Sequence, residues 1–437
     1  MTARPDRDRR HAAPAPAATP TATGPAPPRT VADPADTARP RPIGGRTADR
    51  PQRPHVLVAR LDNDGDVLLA GPAIRAVAAN AGRVTLLCGP RGQAAAELLP
   101  CVDELLLHRA EWIDPEPEPF DPAHSHRLVR EVAARPVDEA VIFTSFHQSP
   151  LPLALLLRLA GVPRIAATSV DYPGSLLDVR HRISDDVHEV ERALGLAAAA
   201  GHPLPPGDDG ALRILRRSAG TALPPALPPQ PYVVVHPGAS VSARAWAPER
   251  HEQLVAALTE RGRAVVVTGS PDERELTARV AAAAPVRAVD LGGATDLAGL
   301  AEVIAGAEAI VVGNTGPAHL AAAVGTPVVS LYAPTVPAVR WRPWMVPHVI
   351  LHEPVPCAGC RARDCPVPGH PCIDRLPLAT VLDAVDAMAA AERPHRPPLP
   401  APEPPAPRPP SRPDRHGRPA RTARRGNGST RQRGATA

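Results

Sequence analysis

The chain has 437 residues, among them 60 Pro and 31 Gly, with 49 basic and 45 acidic side chains and a formal net charge of +4. Every basic residue is Arg, so a lysine-dependent mechanism is excluded. Aromatic residues make up 2%, too few for base stacking to be a main binding mode, and the length is that of two or three domains.

Residues 1 to 54 are rich in Pro, Ala and Arg and lack hydrophobic periodicity, so they are expected to form a disordered tail. They carry ten Arg against five acidic residues, and residues 393 to 437, which read the same way, carry eleven against two. Taking +5 and +9 from +4 leaves −10 for residues 55 to 392. The folded part is therefore acidic, which argues against specific nucleic-acid binding. The tails are expected to be solvated and without function, and a peripheral contact with anionic membrane is the alternative their charge allows. An apolar run of about 18 residues is missing, as is the stretch of roughly 7 to 15 that marks a signal peptide. The expected location is the cytoplasm, with the inner face of the membrane as its extension.

From residue 55, β-branched runs alternate with Ala/Leu-rich amphipathic stretches, the pattern of βαβ units around a parallel sheet. Strands are expected at 55 to 59 (HVLVA), 84 to 87 (VTLL), 104 to 107 (ELLL) and 140 to 143 (AVIF), with helices at 67 to 79 and 153 to 160. The pattern loosens into Gly/Pro-rich sequence over 181 to 230, read as a linker. It restarts with strands at 232 to 235 (YVVV), 264 to 268 (AVVVT), 309 to 312 (AIVV) and 328 to 331 (VVSL). Two doubly wound domains, 55 to 180 and 231 to 392, would face each other across a cleft lined by the carboxyl ends of both sheets, where ligands bind.

Three stretches at such strand ends carry chemistry. In RLDNDGDVLLAGPA (60 to 73), Gly65 is read as a tight turn and Asp66 as lying near a helix N-terminus, either as the helix cap or as a general base. Asp64 and Asp66 also form an Asp-x-Asp triplet of the kind that holds a divalent metal. In VHPGASVSARAW (235 to 246), a glycine turn is followed by Ser240, Ser242 and Arg244, all compatible with phosphate. In VVGNTGPAHLAAAVGTP (311 to 327), Asn314, Thr315 and Gly316 turn into an Ala-rich helix expected from about Pro317, whose free N–H groups suit an anion such as a diphosphate. His319 falls in its first turn.

In this order the three stretches resemble glycosyltransferase family 9, the heptosyltransferase-like enzymes of lipopolysaccharide assembly, over about residues 55 to 390. The resemblance implies an α/β protein of GT-B fold, with two facing Rossmann-like domains, the first for acceptor and the second for donor. It implies Asp66 as catalytic base, Ser240 and Arg244 on the donor diphosphate, and Glu273, with Asp272 beside it, on the donor ribose. The family's Asp/Asn-Thr/Ser-Gly-x-x-His loop matches Asn314, Thr315, Gly316 and His319. The family often has Lys at Arg244 and Asp at Asn314; Arg keeps the charge and adds a bidentate fork.

Cys357, Cys360, Cys365 and Cys372 are spaced C-x2-C-x4-C-x6-C. Four thiolates can close a zinc site, but the middle gap is short for paired knuckles, and free or redox-active thiols are the other reading. The expected function is an inverting, metal-independent transfer of a heptose or related sugar from a nucleotide-diphosphate donor to a hydroxyl of a cell-envelope glycan or glycolipid, without a cofactor. A metal-dependent transferase using Asp64 and Asp66, and a non-catalytic nucleotide-binding scaffold, are the alternatives.

Overall fold

Alternating Val, Leu and Ala over six residues give the first strand, β1 (His55–Arg60), a fully buried HVLVAR, and the same logic recurs along the chain. A computed structural model describes residues 53–217, 227–229 and 231–394. In the first half β1 is joined by β2 (Arg83–Cys88), β3 (Glu104–Leu107), β4 (Glu139–Ile142), β5 (Arg164–Thr168) and β6 (Val179–His181). The helices here are α1 (Asp64–Asn80), α2 (Gln93–Leu98), α3 (Pro122–Ala133), α4 (Leu151–Leu159) and α5 (Glu189–Ala199). The second half has β7 (Tyr232–His236), β8 (Ala264–Gly269), β9 (Ala288–Gly292), β10 (Ala309–Gly313), β11 (Val328–Leu331) and β12 (His348–Leu351). Its helices are α6 (Pro248–Glu260), α7 (Arg274–Ala281), α8 (Leu297–Gly306), α9 (Gly316–Val324), α10 (Ala338–Trp341) and α11 (Leu378–Ala389).

Both sheets are six-stranded and parallel, in the orders β3-β2-β1-β4-β5-β6 and β12-β11-β10-β7-β8-β9. Numbered within each half, both read 3-2-1-4-5-6, the doubly wound order whose direction reverses between the first and fourth strands. The two switch points therefore lie between β1 and β4 and between β7 and β10. All three sequence stretches leave strands that flank one of these points.

Side chains alternate along the central strands. Val56 and Val58 join a core cluster with Val234, Ile310 and Val312 of the other half, whereas Leu57 and Ala59 face an outer core of the first half and Val233, Val235 and Val311 an outer core of the second. The shared cluster is built around α1, which is buried on almost every side and packs on α5 and α9. One apolar core thus crosses both halves.

The expected strands are all present, shifted by a residue or two. The stretch read as linker, 181 to 230, contains α5, an Ala/Leu-rich helix that packs on α1. The Pro/Gly-rich sequence begins only after it. The tails expected at 1 to 54 and 393 to 437 lie outside the described residues except for 53, 54, 393 and 394. Arg393, expected in a tail, donates to the carbonyl of Ala307 (2.9 Å) and to Thr326 Oγ1 (2.6 Å). Among the described residues no helix is long and apolar enough to cross a membrane.

Candidate functional site

The carboxyl end of β1 delivers Arg60 into the interior, 2% exposed. Its guanidinium gathers acceptors from three elements. Nη2 lies 2.9 Å from Asp66 Oδ1 and 2.8 Å from Ser145 Oγ, just beyond β4. Nε is 2.7 Å from Asp62 Oδ2, and Nη1 is 3.4 Å from Glu189 Oε2 on α5. Burial opposes the charge on Arg60, but Asp62, Asp66 and Glu189 more than offset it and hold its pKa above the usual value. Burial, with the nearby charges of Asp66 and Glu189, pushes Asp62 up to about 6 despite Arg60 and a hydrogen bond from Gln148. Of the three carboxylates Asp66 is the least buried, with 21% of its side chain exposed, and it is the one free to meet a substrate.

Two readings of this stretch are corrected. Asp66 is not the helix cap: Asn63 holds that position, α1 starts at Asp64, and the Asp66 carboxylate is taken by Arg60. Gly65 is not a turn but the second residue of α1, and its role is close approach. A Cβ there would sit 3.1 Å from His319 Cδ2 and 3.2 Å from Gly316 Cα. The start of α1 therefore lies directly against the start of α9. Asp64 points elsewhere, accepting the N–H of Ala95 at 2.9 Å. Residues two apart on a helix do not share a face, so Asp64 and Asp66 do not present a joint metal site.

On the second half, β7 ends at His236, whose Nδ1 is 3.0 Å from Thr268 Oγ1. The following Gly238 leaves room for the carboxylate of Glu273, which a Cβ would overlap. Glu273 also accepts the N–H of Ser270 at 2.7 Å in a capping box. Asp272, its neighbour, is exposed, so Glu273 is the acid that faces the His-Pro-Gly turn. Ser240 is exposed, and Arg244 is half-buried at the end of a single helical turn, Ser242–Arg244. The carbonyl of Arg244 packs on Gly313, 3.3 Å from where a Cβ would be. The loop is thereby seated on the end of β10.

That strand leads through buried Asn314 to Thr315, the N-cap of α9, with Pro317 in its first turn. The helix starts at Gly316, one residue ahead of the expectation. Burial, together with the charge of His188, lowers His319 to about 4, while Asp66 pulls the other way. His319 is thus a neutral imidazole near the Asp66 carboxylate. Its Nδ1, Thr315 Oγ1 and Arg244 Nε are all buried without a hydrogen-bond partner. Native structures leave few such atoms, and three of those in this chain lie on these two adjoining loops.

A model of the family described as glycosyltransferase family 9 (heptosyltransferase) matches residues 146–370, just over half of the chain. The chain belongs to glycosyltransferase family 9. The chain is 37% identical over 182 residues to lipopolysaccharide heptosyltransferase 1 of Pseudomonas aeruginosa, covering 41% of this chain and 48% of that protein. To lipopolysaccharide heptosyltransferase 3 of Escherichia coli it is 35% identical over 120 residues, covering 26% and 34%. These alignments span about half or less of the curated relatives. A family 9 glycosyltransferase structure from Veillonella parvula superposes with a TM-score of 0.61 at 16% identity, covering 77% of this chain and 97% of that one. The E. coli ADP-heptose lps heptosyltransferase II gives 0.59 at 19%, covering 77% and 98%. At these identities the likeness concerns the fold, which is the GT-B arrangement expected.

As a family 9 chain it has its Arg60–Asp66 pair ahead of the matched span and the 235–246 and 313–319 loops within it. Sequence reading missed Arg60, Ser145 and Glu189. Arg60 was legible as a charge at the end of an otherwise apolar strand; Ser145 and Glu189 carry no local signal. It also missed Phe146, stacked beneath Arg340 (3.8 Å from Cζ to the ring centroid) and Arg361 (4.9 Å), which brings two more cations of the second half to the first. The four-cysteine segment packs on the 240–244 loop, with Ala243 N donating to Arg363 O (2.8 Å) and Ser242 Oγ to the same carbonyl (3.0 Å). Cys357 and Cys360 are exposed, Cys365 is half-buried and Cys372 buried. Burial and the neighbouring thiols push Cys372 up to about 11.

Proposed function

We propose that this chain is an inverting, metal-independent glycosyltransferase that moves a heptose or related sugar from a nucleotide-diphosphate donor to a hydroxyl of a cell-envelope glycan or glycolipid. The observation that carries the reading is the abutment of the starts of α1 and α9, with Gly65 against Gly316 and His319. It sets a carboxylate of one half beside the N–H-rich helix end of the other. Membership of the family and the heptosyltransferase names of its relatives supply the substrate class.

In this reading the first half, 55 to 180, takes the acceptor and the second, 231 to 392, the donor. Asp66, its acceptor lone pairs oriented by Arg60, receives the proton of the attacking hydroxyl. The hydroxyl oxygen bonds to the anomeric carbon on the face opposite the leaving group, which inverts the configuration as the C–O bond to the diphosphate breaks. The charge that grows on the diphosphate meets Arg244, the amides of Asn314 to Gly316 and the positive end of α9, a fixed electrostatic environment that needs no reorganisation. Ser240 and neutral His319 contribute hydrogen bonds to the same group, and Glu273 accepts from the ribose. The reading places the enzyme in the cytoplasm, at the inner membrane face where a lipid-linked acceptor would be met.

The test uses the purified chain in EDTA with ADP-, GDP-, UDP- and dTDP-sugars. A donor that binds only the native state raises the melting temperature, and NMR of the product reads the anomeric configuration. One donor is expected to stabilise the protein, and transfer should proceed with inversion in chelator. Retention of configuration, or activity that appears only with Mn²⁺ or Mg²⁺, refutes the mechanism. Stabilisation by none of the donors refutes the assignment.

A further inference from the structure

A second cluster of chemistry lies at the edge of the first sheet, apart from the site above. The chain leaves β3 at Leu107 and passes through His108, Glu111 and Trp112 before reaching α3, which carries His124. One ligand atom from each of His108, Glu111 and His124 lies within 4.8 Å of the others. His108 is 3% exposed, and its ring lies against that of His124, tilted by 34° with centroids 4.4 Å apart. His124 Nδ1 is 2.7 Å from Glu111 Oε1.

An ion pair between His124 and Glu111 accounts for only part of this arrangement. His108 Nε2 and Glu111 Oε2 are both buried and have no hydrogen-bond partner. A buried imidazole nitrogen and a buried carboxylate oxygen, both unpaired and both in the same cluster, are costly unless something is shared between them. Among the described residues this is the one group of three His, Cys, Asp or Glu side chains with ligand atoms so close.

We infer that His108, Glu111 and His124 form a binding site for a divalent transition-metal ion, zinc being the best match to two imidazoles and a carboxylate. Zn–N and Zn–O bonds of about 2.0–2.1 Å in a tetrahedron put ligand atoms about 3.3 Å apart, so the three side chains need only close by small rotations. The ion takes the place of the proton between His124 and Glu111, which moves from Nδ1 to Nε2 of the same neutral ring, and a water fills the fourth position. Because the ligands come from the loop after β3 and from α3, the ion pins residues 108 to 124 to the carboxyl-end rim of the first sheet. Its role is structural, and it lies outside the sugar-transfer step.

Zinc binding to the full chain, measured by equilibrium dialysis after removal of metal by chelation, tests this. The four cysteines can take metal independently, so the readout is a difference: the parent should bind one zinc more than His124→Ala. His124 is a partly exposed position whose loss the fold tolerates, as far-UV circular dichroism will check, and Glu111→Gln gives a second, conservative variant with the same expectation. Cobalt in place of zinc should show visible d–d absorption of which the part due to one nitrogen- and oxygen-ligated ion is lost in both variants, without losing any thiolate charge-transfer band in the near ultraviolet. Equal zinc counts in the parent and both variants overturn the site. So does a cobalt spectrum in which every band survives the two substitutions.

Discussion

Replacing Asp66 with Asn separates the roles that a carboxylate at this position can have. The Asn side chain keeps the size, and its Oδ1 can still accept from Arg60 Nη2, now 2.9 Å from Asp66. Arg60 keeps Asp62 and Glu189 as counter-charges. One guanidinium among three carboxylates is a cluster of net charge −2, and the substitution brings it to −1. Asp66 is one of the charges that push both Asp62 and Glu189 upward, after burial itself, so its neutralisation relieves repulsion. Against this stands the loss of an anion from the first turn of α1, worth about 0.3–1 kcal/mol. The two terms nearly cancel, and stability should change by no more than about 1 kcal/mol. The chemistry changes far more. Loss of a general base typically costs ~10² to 10⁴ in rate, about 2.7 to 5.5 kcal/mol on the barrier. Thermal denaturation, donor binding by calorimetry and a coupled assay of nucleotide release together read the three effects. The expected outcome is a folded variant that binds donor as the parent does and transfers at least ~100-fold more slowly. A folded variant that transfers within a few-fold of the parent refutes the assignment of Asp66 as base.

Arg244→Ala should weaken donor binding and transfer together, since it removes a charge-assisted contact worth roughly 1.5–3 kcal/mol; unchanged donor affinity by calorimetry would move the diphosphate to the 314–319 loop. Burial lowers His188, His251 and His319 each to about 4, so between pH 6.5 and 4 the unfolded chain takes up protons that the folded chain refuses, and stability falls as the pH falls. Asp62, raised to about 6, and Asp64 and Glu189, also raised by burial, work in the opposite direction, but His108, lowered to about 4, and the further imidazoles His55, His147, His181 and His236, lowered by burial, add to the first effect and outnumber them. The melting temperature in chelator should decline across that window, and a flat profile would contradict the burial of these rings. Iodoacetamide at pH 8 should label exposed Cys101, Cys357 and Cys360 well before Cys88 and Cys372, which burial pushes up to about 12 and 11; mass mapping of the alkylated residues reads the order.

The central strands were legible because a strand buried on both faces is written as an unbroken apolar run, as in HVLVAR or YVVVH. Edge position did not decide the matter, since the edge strand β3 is written as ELLL whereas β5, inside the sheet, went unread with β6, β9 and β12. Val179–His181 is three half-buried residues without an apolar run, and His348–Leu351 is half-buried throughout. Helix α5 was lost in the linker because its flanks are rich in Pro, Gly and Asp, and its place is set by packing on α1. Within the site, the two loops could be read from glycine-containing turns after strands, and Asp66 from its place where a strand gives way to a helix. The orientation of Asp66 could not, since it depends on Ser145 and Glu189, which lie 79 and 123 positions further along the chain and meet Arg60 only after both switch-point strands have paired. The His108–Glu111–His124 cluster stayed hidden for the same reason: its third member arrives on a separate helix.

The contact between Gly65 and Gly316 acts as a gauge for the enzyme. Elsewhere the halves meet through side chains, such as Phe146 beneath Arg340, which can change rotamer to absorb a shift. Where the two helix starts touch, the main chain of Gly65 meets the main chain of Gly316 with the buried ring of His319 beside it, and main chain in the first turn of a helix has no rotamer to yield. The spacing between the two helix starts, which carry Asp66 and the amides that open α9, is therefore set by main chain and one buried ring. An inserted methyl group at residue 65, held 3.1–3.2 Å from His319 and Gly316, would work as a shim, pushing the start of α1 away from the start of α9 and altering no side chain that the proposed transfer uses.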